Sequence, residues 1–238
     1  ESSQRSYPVL YLLHGGGDDH SGWIQFGEVL HSADKAIREG KATPMVIIMP
    51  DANAGHRGYF NDPSGAWRYE DFFFEEFMPH VESLYRIRTE RRYRAIAGLS
   101  MGGGGTFVYA LRHPELFSSA CPLSASTGPD DLDHARRWVE GREWKSVSDS
   151  ALNAWKERHY VPDIITSMDP EKVKKVRWYI DCGDEDFLYK GNSLTHILMS
   201  DLKIPHEYRV RDGAHTRTSW RESLPEVRGW VSDRVHQY

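Results

Sequence analysis

Ser100 stands in Gly98-Leu99-Ser100-Met101-Gly102, directly after the apolar run 93–97 and directly before a helix-like stretch at 101–112. A serine hydroxyl is a weak nucleophile. Acyl transfer at such a residue needs a base, a group to orient that base, and donors for the developing oxyanion. Gly-x-Ser-x-Gly between a strand and a helix suits this chemistry mechanically. The chain turns so sharply that the nucleophile is strained, and only small residues fit two before and two after it. The turn lifts the hydroxyl above the sheet, near the positive end of the helix. Gly102–Gly105 form a run of glycines at the helix start, where each costs about 1 kcal/mol relative to Ala. Close packing of this helix on the strands accounts for some of them.

A second glycine run, His14-Gly15-Gly16-Gly17, follows the apolar stretch 8–14. It lacks the Lys and Ser/Thr of a phosphate-binding loop. Paired with the serine turn, it is expected to supply one backbone N–H of an oxyanion hole, from Gly16 first and Gly17 next, with Met101 N–H as the other. His14 is expected to support that loop.

The chain order for such a site is serine, then a carboxylate, then histidine. His215 lies in Arg211-Asp212-Gly213-Ala214-His215-Thr216, between an apolar run and the final amphipathic stretch, and is the expected base. His206 begins a strand, His236 is almost terminal, and the other histidines read as structural or solvent-facing. The acid must accept the histidine N–H and fix its tautomer. Asp181, Asp184, Glu185 and Asp186 all follow the apolar run 176–180. Spacing alone does not choose among the four; composition and order favour Asp186 only modestly over Asp184.

These residues need a frame. Apolar runs at 8–14, 45–49, 93–97, 119–123, 176–180 and 206–210 read as strands, and 24–39, 69–85, 101–112 and 217–235 as helices. Near-continuous apolar strands separated by helices indicate an α/β fold: one mostly parallel central sheet with helices on both faces, as a single domain over 1–238. Ligands bind beyond the carboxyl ends of such strands, and each residue nominated above follows a strand. The segment 126–175 breaks the rhythm. It holds Trp138, Trp144 and Trp155, with helices near 131–140 and 149–158. It reads as a helical insertion over or beside the site.

Composition narrows the remaining classes. Hydrophobic residues are 39% and charged residues 27% of 238, with a formal net charge of -5 and no concentrated basic face. A nucleic-acid partner is not expected, and no stretch is long and apolar enough to span a membrane as a helix. Cys121 and Cys182 sit in apolar contexts and read as free buried thiols; no metal-ligand cluster is visible, and neither a metal nor a cofactor is expected.

The stretches YPVLYLLHGGG at 7–17, MPDANAG at 49–55, YEDFFFEEFMPHVESLYRI at 69–87, AIAGLSMGG at 95–103, CGDEDF at 182–187 and DGAHTRTSWRESL at 212–224 together resemble the feruloyl and acetyl xylan esterases related to esterase D, in the α/β-hydrolase superfamily. The resemblance implies Ser100 as nucleophile, His215 as base, Asp186 as acid and Gly16 and Met101 as oxyanion donors, with no cofactor. It implies ester cleavage on plant cell-wall xylan or its oligosaccharides: release of ferulic acid from arabinoxylan first, deacetylation of xylan as the alternative. Other relatives act on small thioesters, siderophore esters or trehalose mycolates. A catalytically silent carbohydrate-binding relative is a third reading, opposed by retention of the reactive residues.

A feruloyl group needs a flat apolar slot; Trp23, Phe60, Trp67 and the tryptophans of 126–175 are the candidate walls. Asp18, Asp19, Asn53 and His56 either meet a sugar or close turns. The resemblance implies a secreted or periplasmic protein; against the family pattern, the usual amino-terminal strands are expected to be absent, and a longer polypeptide with an attached carbohydrate-binding module is one expectation.

Overall fold

A computed structural model describes residues 5–53, 58–140 and 147–235. Its centre is a sheet of β1 (Val9–Leu13), β2 (Val46–Ile48), β3 (Arg94–Leu99), β4 (Ser119–Leu123), β5 (Arg177–Gly183) and β6 (His206–Arg211). The order is β2-β1-β3-β4-β5-β6, and every neighbouring pair is parallel. All five residues of β1 and of β4 are buried, as expected when helices cover both faces.

Successive side chains of a strand point to opposite faces, and β1 divides accordingly. Val9, Tyr11 and Leu13 enter one core with Phe73, Phe107, Tyr109 and Trp178. Leu10 and Leu12 enter the other with Trp23, Leu224, Val227 and Val231. The first core is covered by α5 (Met101–Arg112), α8 (Val161–Ser167) and α10 (Tyr189–Asp201), and the second by α2 (Val29–Arg38) and α11 (Arg217–Val235).

The helix expected over 24–39 is two pieces, α1 (Gly22–Gln25) and α2. Glu28 adopts a left-handed backbone between them (φ 50°), which breaks the helix there, and Gly27 packs so closely on Trp23 that a Cβ would lie 2.6 Å from its ring. The helix over 69–85 is continuous but carries a π turn, Phe73–Phe77, between α3 (Tyr69–Phe72) and α4 (Met78–Leu84). The helix α10 has no clear sequence signature, because Leu194 and Ile197 lie exposed and blur the apolar stripe.

The segment 126–175 folds as α6 (Leu132–Glu140), α7 (Asp149–His159), α8 and α9 (Pro170–Val173). Ala135, Val139, Leu152 and Trp155 form a small core of their own, with Phe60 and Trp138 against it. Trp155 Nε1 donates to Asn61 O at 2.8 Å and ties this unit to the main body. Trp144, His56 and His236 lie outside the described residues. Among the described residues no helix is long and apolar enough to cross a membrane.

From β1 the chain moves outward to β2, then returns to place β3 on the other side of β1. The carboxyl ends of β1 and β3 therefore flank a topological switch point, where open α/β sheets form their ligand crevice.

Candidate active site

Ser100 occupies the turn from β3 into α5 with φ 55° and ψ -115°, a conformation that L residues rarely adopt. Its backbone is fixed on both sides. The Ser100 N–H donates to Leu123 O at 2.9 Å, and Ser100 O accepts the N–H groups of Gly104 and Ser126, each at 3.0 Å. A Cβ on Gly98 would meet Gly102 O at 2.5 Å, and one on Gly102 would meet Leu13 O and His14 O at 2.6 Å. A Cβ on Gly103 would lie 2.8 Å from Leu123 O, one on Gly104 would collide with Ser126 O, and one on Gly105 would press on Leu13 and Tyr59. The whole glycine run is thus explained by contact: α5 starts with its backbone against the carboxyl ends of β1 and β4.

His215 reaches the serine from the loop after β6. Its Nε2 is 2.9 Å from Ser100 Oγ, while Nδ1 is 2.8 and 3.0 Å from the two carboxylate oxygens of Asp186. With the Nδ1 proton directed at Asp186, Nε2 is free to accept the serine proton. The Asp186 side chain is fully buried, and its Oδ1 also accepts the Leu188 N–H at 2.8 Å. Burial pushes this carboxyl upward, but hydrogen bonds from His215, Leu188 N–H and the Ser124 hydroxyl outweigh it and hold Asp186 below the usual carboxylate range. Trp220 stands edge-on to the His215 ring at 4.9 Å and donates from Nε1 to Ser124 Oγ at 3.1 Å.

The other candidate carboxylates, Asp181 within β5 and Asp184 and Glu185 after it, have different partners. Asp181 binds Arg211 Nε at 2.6 Å and accepts from Ser223 Oγ at 3.1 Å, and burial pushes its pKa up. Asp184 accepts the Gly213 N–H at 3.1 Å and so clamps the loop that carries His215. Glu185 has an exposed side chain and gives its backbone N–H to Gly213 O at 3.1 Å. His206 pairs with His196 at 2.7 Å, at the start of β6.

His14 orders the glycine loop. Its Nε2 accepts the Ala52 N–H at 2.9 Å, so the ring proton resides on Nδ1, which donates to Gly15 O at 2.8 Å. Gly15 O and Gly16 N–H belong to one trans peptide and point opposite ways; pinning the oxygen fixes the direction of the N–H. Gly16 and Met101 both line the cleft, and a Cβ on Gly16 would sit 4.0 Å from Met101 Cβ. Gly17 has φ 75° and is not among the lining residues.

The cleft has a volume of about 610 Å³ and is lined around Ser100 by Tyr59, Phe60, Trp138, Tyr160 and Phe187. Phe60, a candidate wall from the sequence, is among the lining residues. Trp23 is not: it is 2% exposed, donates from Nε1 to Leu13 O at 2.9 Å and fills the core beneath β1, because α1 turns it under the sheet. Trp67 also misses the lining. It stacks on Tyr69 at 5.8 Å and donates to Gly58 O at 3.2 Å, supporting the wall from behind. Phe187 and Tyr160 carry no sequence signal of a site. Asp19 closes a turn by accepting the Ser21 N–H and hydroxyl. Cys121 and Cys182 are unpaired and buried; burial raises both thiols, Cys182 to about 12. Among the described residues no group of three His, Cys, Asp or Glu could hold a metal ion.

A serine on a strand-to-helix turn, hydrogen-bonded to a carboxylate-held histidine above a parallel sheet, defines an α/β-hydrolase of the serine type. The Esterase family model matches residues 1–231, and the chain belongs to that family. It is a carboxylic ester hydrolase. The solved structure of a ferulic acid esterase superposes with a TM-score of 0.84 at 33% identity, covering 98% of this chain and 87% of that one. An esterase of Mycobacterium tuberculosis is 29% identical over 240 residues, 90% of this chain and 50% of that protein. An endo-1,4-beta-xylanase/feruloyl esterase of Xylanibacter ruminicola is 28% identical over 233 residues, 95% of this chain and 26% of that protein. The chain thus spans half or less of the length of these two curated relatives.

Proposed function

We propose that this enzyme releases ferulic acid from feruloylated arabinoxylan or its oligosaccharides through an acyl-enzyme. His215 Nε2 takes the Ser100 proton as Oγ attacks the ester carbonyl. The N–H groups of Gly16 and Met101 stabilise the tetrahedral oxyanion, and Asp186 stays ionised and holds the imidazolium. The intermediate collapses as His215 returns the proton to the departing sugar oxygen. Water, deprotonated by the same histidine, then attacks the acyl-enzyme and frees the acid and Ser100.

The observation that carries the chemistry is the 2.9 Å contact of Ser100 Oγ with a histidine whose other nitrogen is held by a buried carboxylate. The aromatic side chains of Phe60 and Trp138 in the lining support a flat aromatic acyl group, and the similarity to a ferulic acid esterase points the same way. The same reading includes a secreted or periplasmic enzyme, since a cell-wall polysaccharide lies outside the cytoplasm.

The test is incubation with insoluble arabinoxylan, with ferulate and acetate quantified together and Ser100→Ala run beside the wild type. Ferulate released in molar excess over acetate, and only when Ser100 is present, is expected. Acetate alone would replace this reading with deacetylation of xylan, and neither product would remove the polysaccharide as substrate.

A further inference from the structure

We propose that Phe187 is the platform on which the sugar of the leaving group stacks, so that it selects glycosyl esters over simple alkyl esters. This rests on the ester-hydrolase reading of the same cleft. Phe187 is a large apolar side chain left 76% exposed at the mouth of a reactive site, with its ring centroid 4.5 Å from that of His215. It is also rigidly presented. Asp186 N–H donates to Gly183 O at 3.3 Å, Leu188 N–H to Asp186 Oδ1 at 2.8 Å, and Tyr189 N–H to Asp186 O at 2.9 Å, so the turn bearing Phe187 is held on both sides.

Proton transfer dictates which part of the substrate lies there. The oxygen that departs must come within about 3 Å of His215 Nε2 to be protonated. The first residue of the leaving alcohol therefore lies beside the imidazole, where Phe187 stands. A sugar ring has a C–H face that packs on an aromatic ring and hydroxyls that remain in water at its rim, which suits a platform open to solvent. Lys190, Gly191 and Leu194 continue the lining from Phe187 along α10. The exposed Lys190 ammonium can donate to hydroxyls there, and Gly191 leaves the room that Thr127 Oγ1 occupies, 2.6 Å from where a Cβ would be. Phe60 belongs to another part of the cleft: it packs against the helical insertion, with its ring centroid 4.6 Å from that of His159.

The test compares kcat/KM for a feruloyl ester of arabinofuranose with kcat/KM for methyl ferulate, in wild type, Phe187→Ala and Phe187→Trp. The same pair is run with acetyl in place of feruloyl. Wild type should favour the sugar ester. Phe187→Ala should lower the sugar-to-methyl ratio about tenfold, the equivalent of one lost stacking contact, chiefly through KM, and Phe187→Trp should restore it. A ratio unchanged in Phe187→Ala, or a wild type without preference for the sugar, would overturn the proposal. A preference seen only in the acetyl pair would instead overturn the feruloyl assignment and leave the platform standing; cleavage of none of the four esters would overturn both.

Discussion

Asp186 holds His215 Nδ1 with both carboxylate oxygens, at 2.8 and 3.0 Å, from a position sealed against solvent. Asn at this position would present an amide to the ring and favour the wrong tautomer. Asp186→Asn is expected to lower kcat by about 10⁴ with little change in KM. The carboxyl is held below its usual range, so its contribution to stability is complete above about pH 4 and is lost as pH falls through the lowered folded-state value. The difference in unfolding free energy between wild type and Asp186→Asn should shrink below about pH 4. A difference that grows on acidification would reverse the sign of this coupling.

Asp184 supports the same loop without touching the imidazole. It accepts only the Gly213 N–H at 3.1 Å, and a single neutral-to-charged hydrogen bond of this kind contributes about 1.5–3 kcal/mol at most. Asp184→Ala should therefore retain turnover within about 10²-fold of wild type, far above Asp186→Asn. Steady-state kinetics of the two variants side by side decide between them; equal inactivation would mean that Asp184 serves the imidazole as directly as Asp186.

Gly104 tests whether the glycine run serves contact rather than flexibility. In a free helix Gly→Ala would stabilise by about 1 kcal/mol. Here the added methyl collides with Ser126 O, and overpacking of this kind costs about 1–3 kcal/mol. Urea unfolding of Gly104→Ala should show a lower midpoint, with reduced activity because Ser126 N–H also fixes Ser100 O. A higher midpoint would show that the helix does not approach so closely.

Arg228 is 1% exposed in α11, and none of its three guanidinium nitrogens has a hydrogen-bond partner among the described residues. Burial depresses its pKa to about 10. A base with a lowered folded-state pKa costs stability while it is charged, and that cost relaxes only as pH rises through that value. Arg228→Met should raise the unfolding free energy at pH 7 by about 1 kcal/mol or more, with the advantage narrowing only above about pH 10. A loss of stability at pH 7 would contradict the account of an uncompensated charge.

Much of this site is legible in the chain, for identifiable reasons. Ser100, His14–Gly17 and His215 each follow an apolar run, and their order matches the chemistry. The acid is less so: Asp181, Asp184 and Asp186 lie within or just past one strand, and it is their partners Arg211, Gly213 and His215 that separate them. Trp23 misleads because a tryptophan after a glycine loop suits a cleft wall or a core equally, and the turn that sends it under β1 depends on tertiary contacts. The break at Gly27 interrupts no hydrophobic period. The Gly102–Gly105 run needs the backbones of β1 and β4 to explain it, and Phe187 resembles any exposed phenylalanine until His215 is placed beside it.

The most direct test of the central claim is the intact mass of the protein after exposure to diisopropyl fluorophosphate, with the adduct located by peptide mapping and Ser100→Ala treated in parallel. The account predicts one phosphoryl adduct on Ser100, loss of ester turnover in step with labelling, and no adduct on the variant. Labelling at another serine with turnover retained in Ser100→Ala would contradict it.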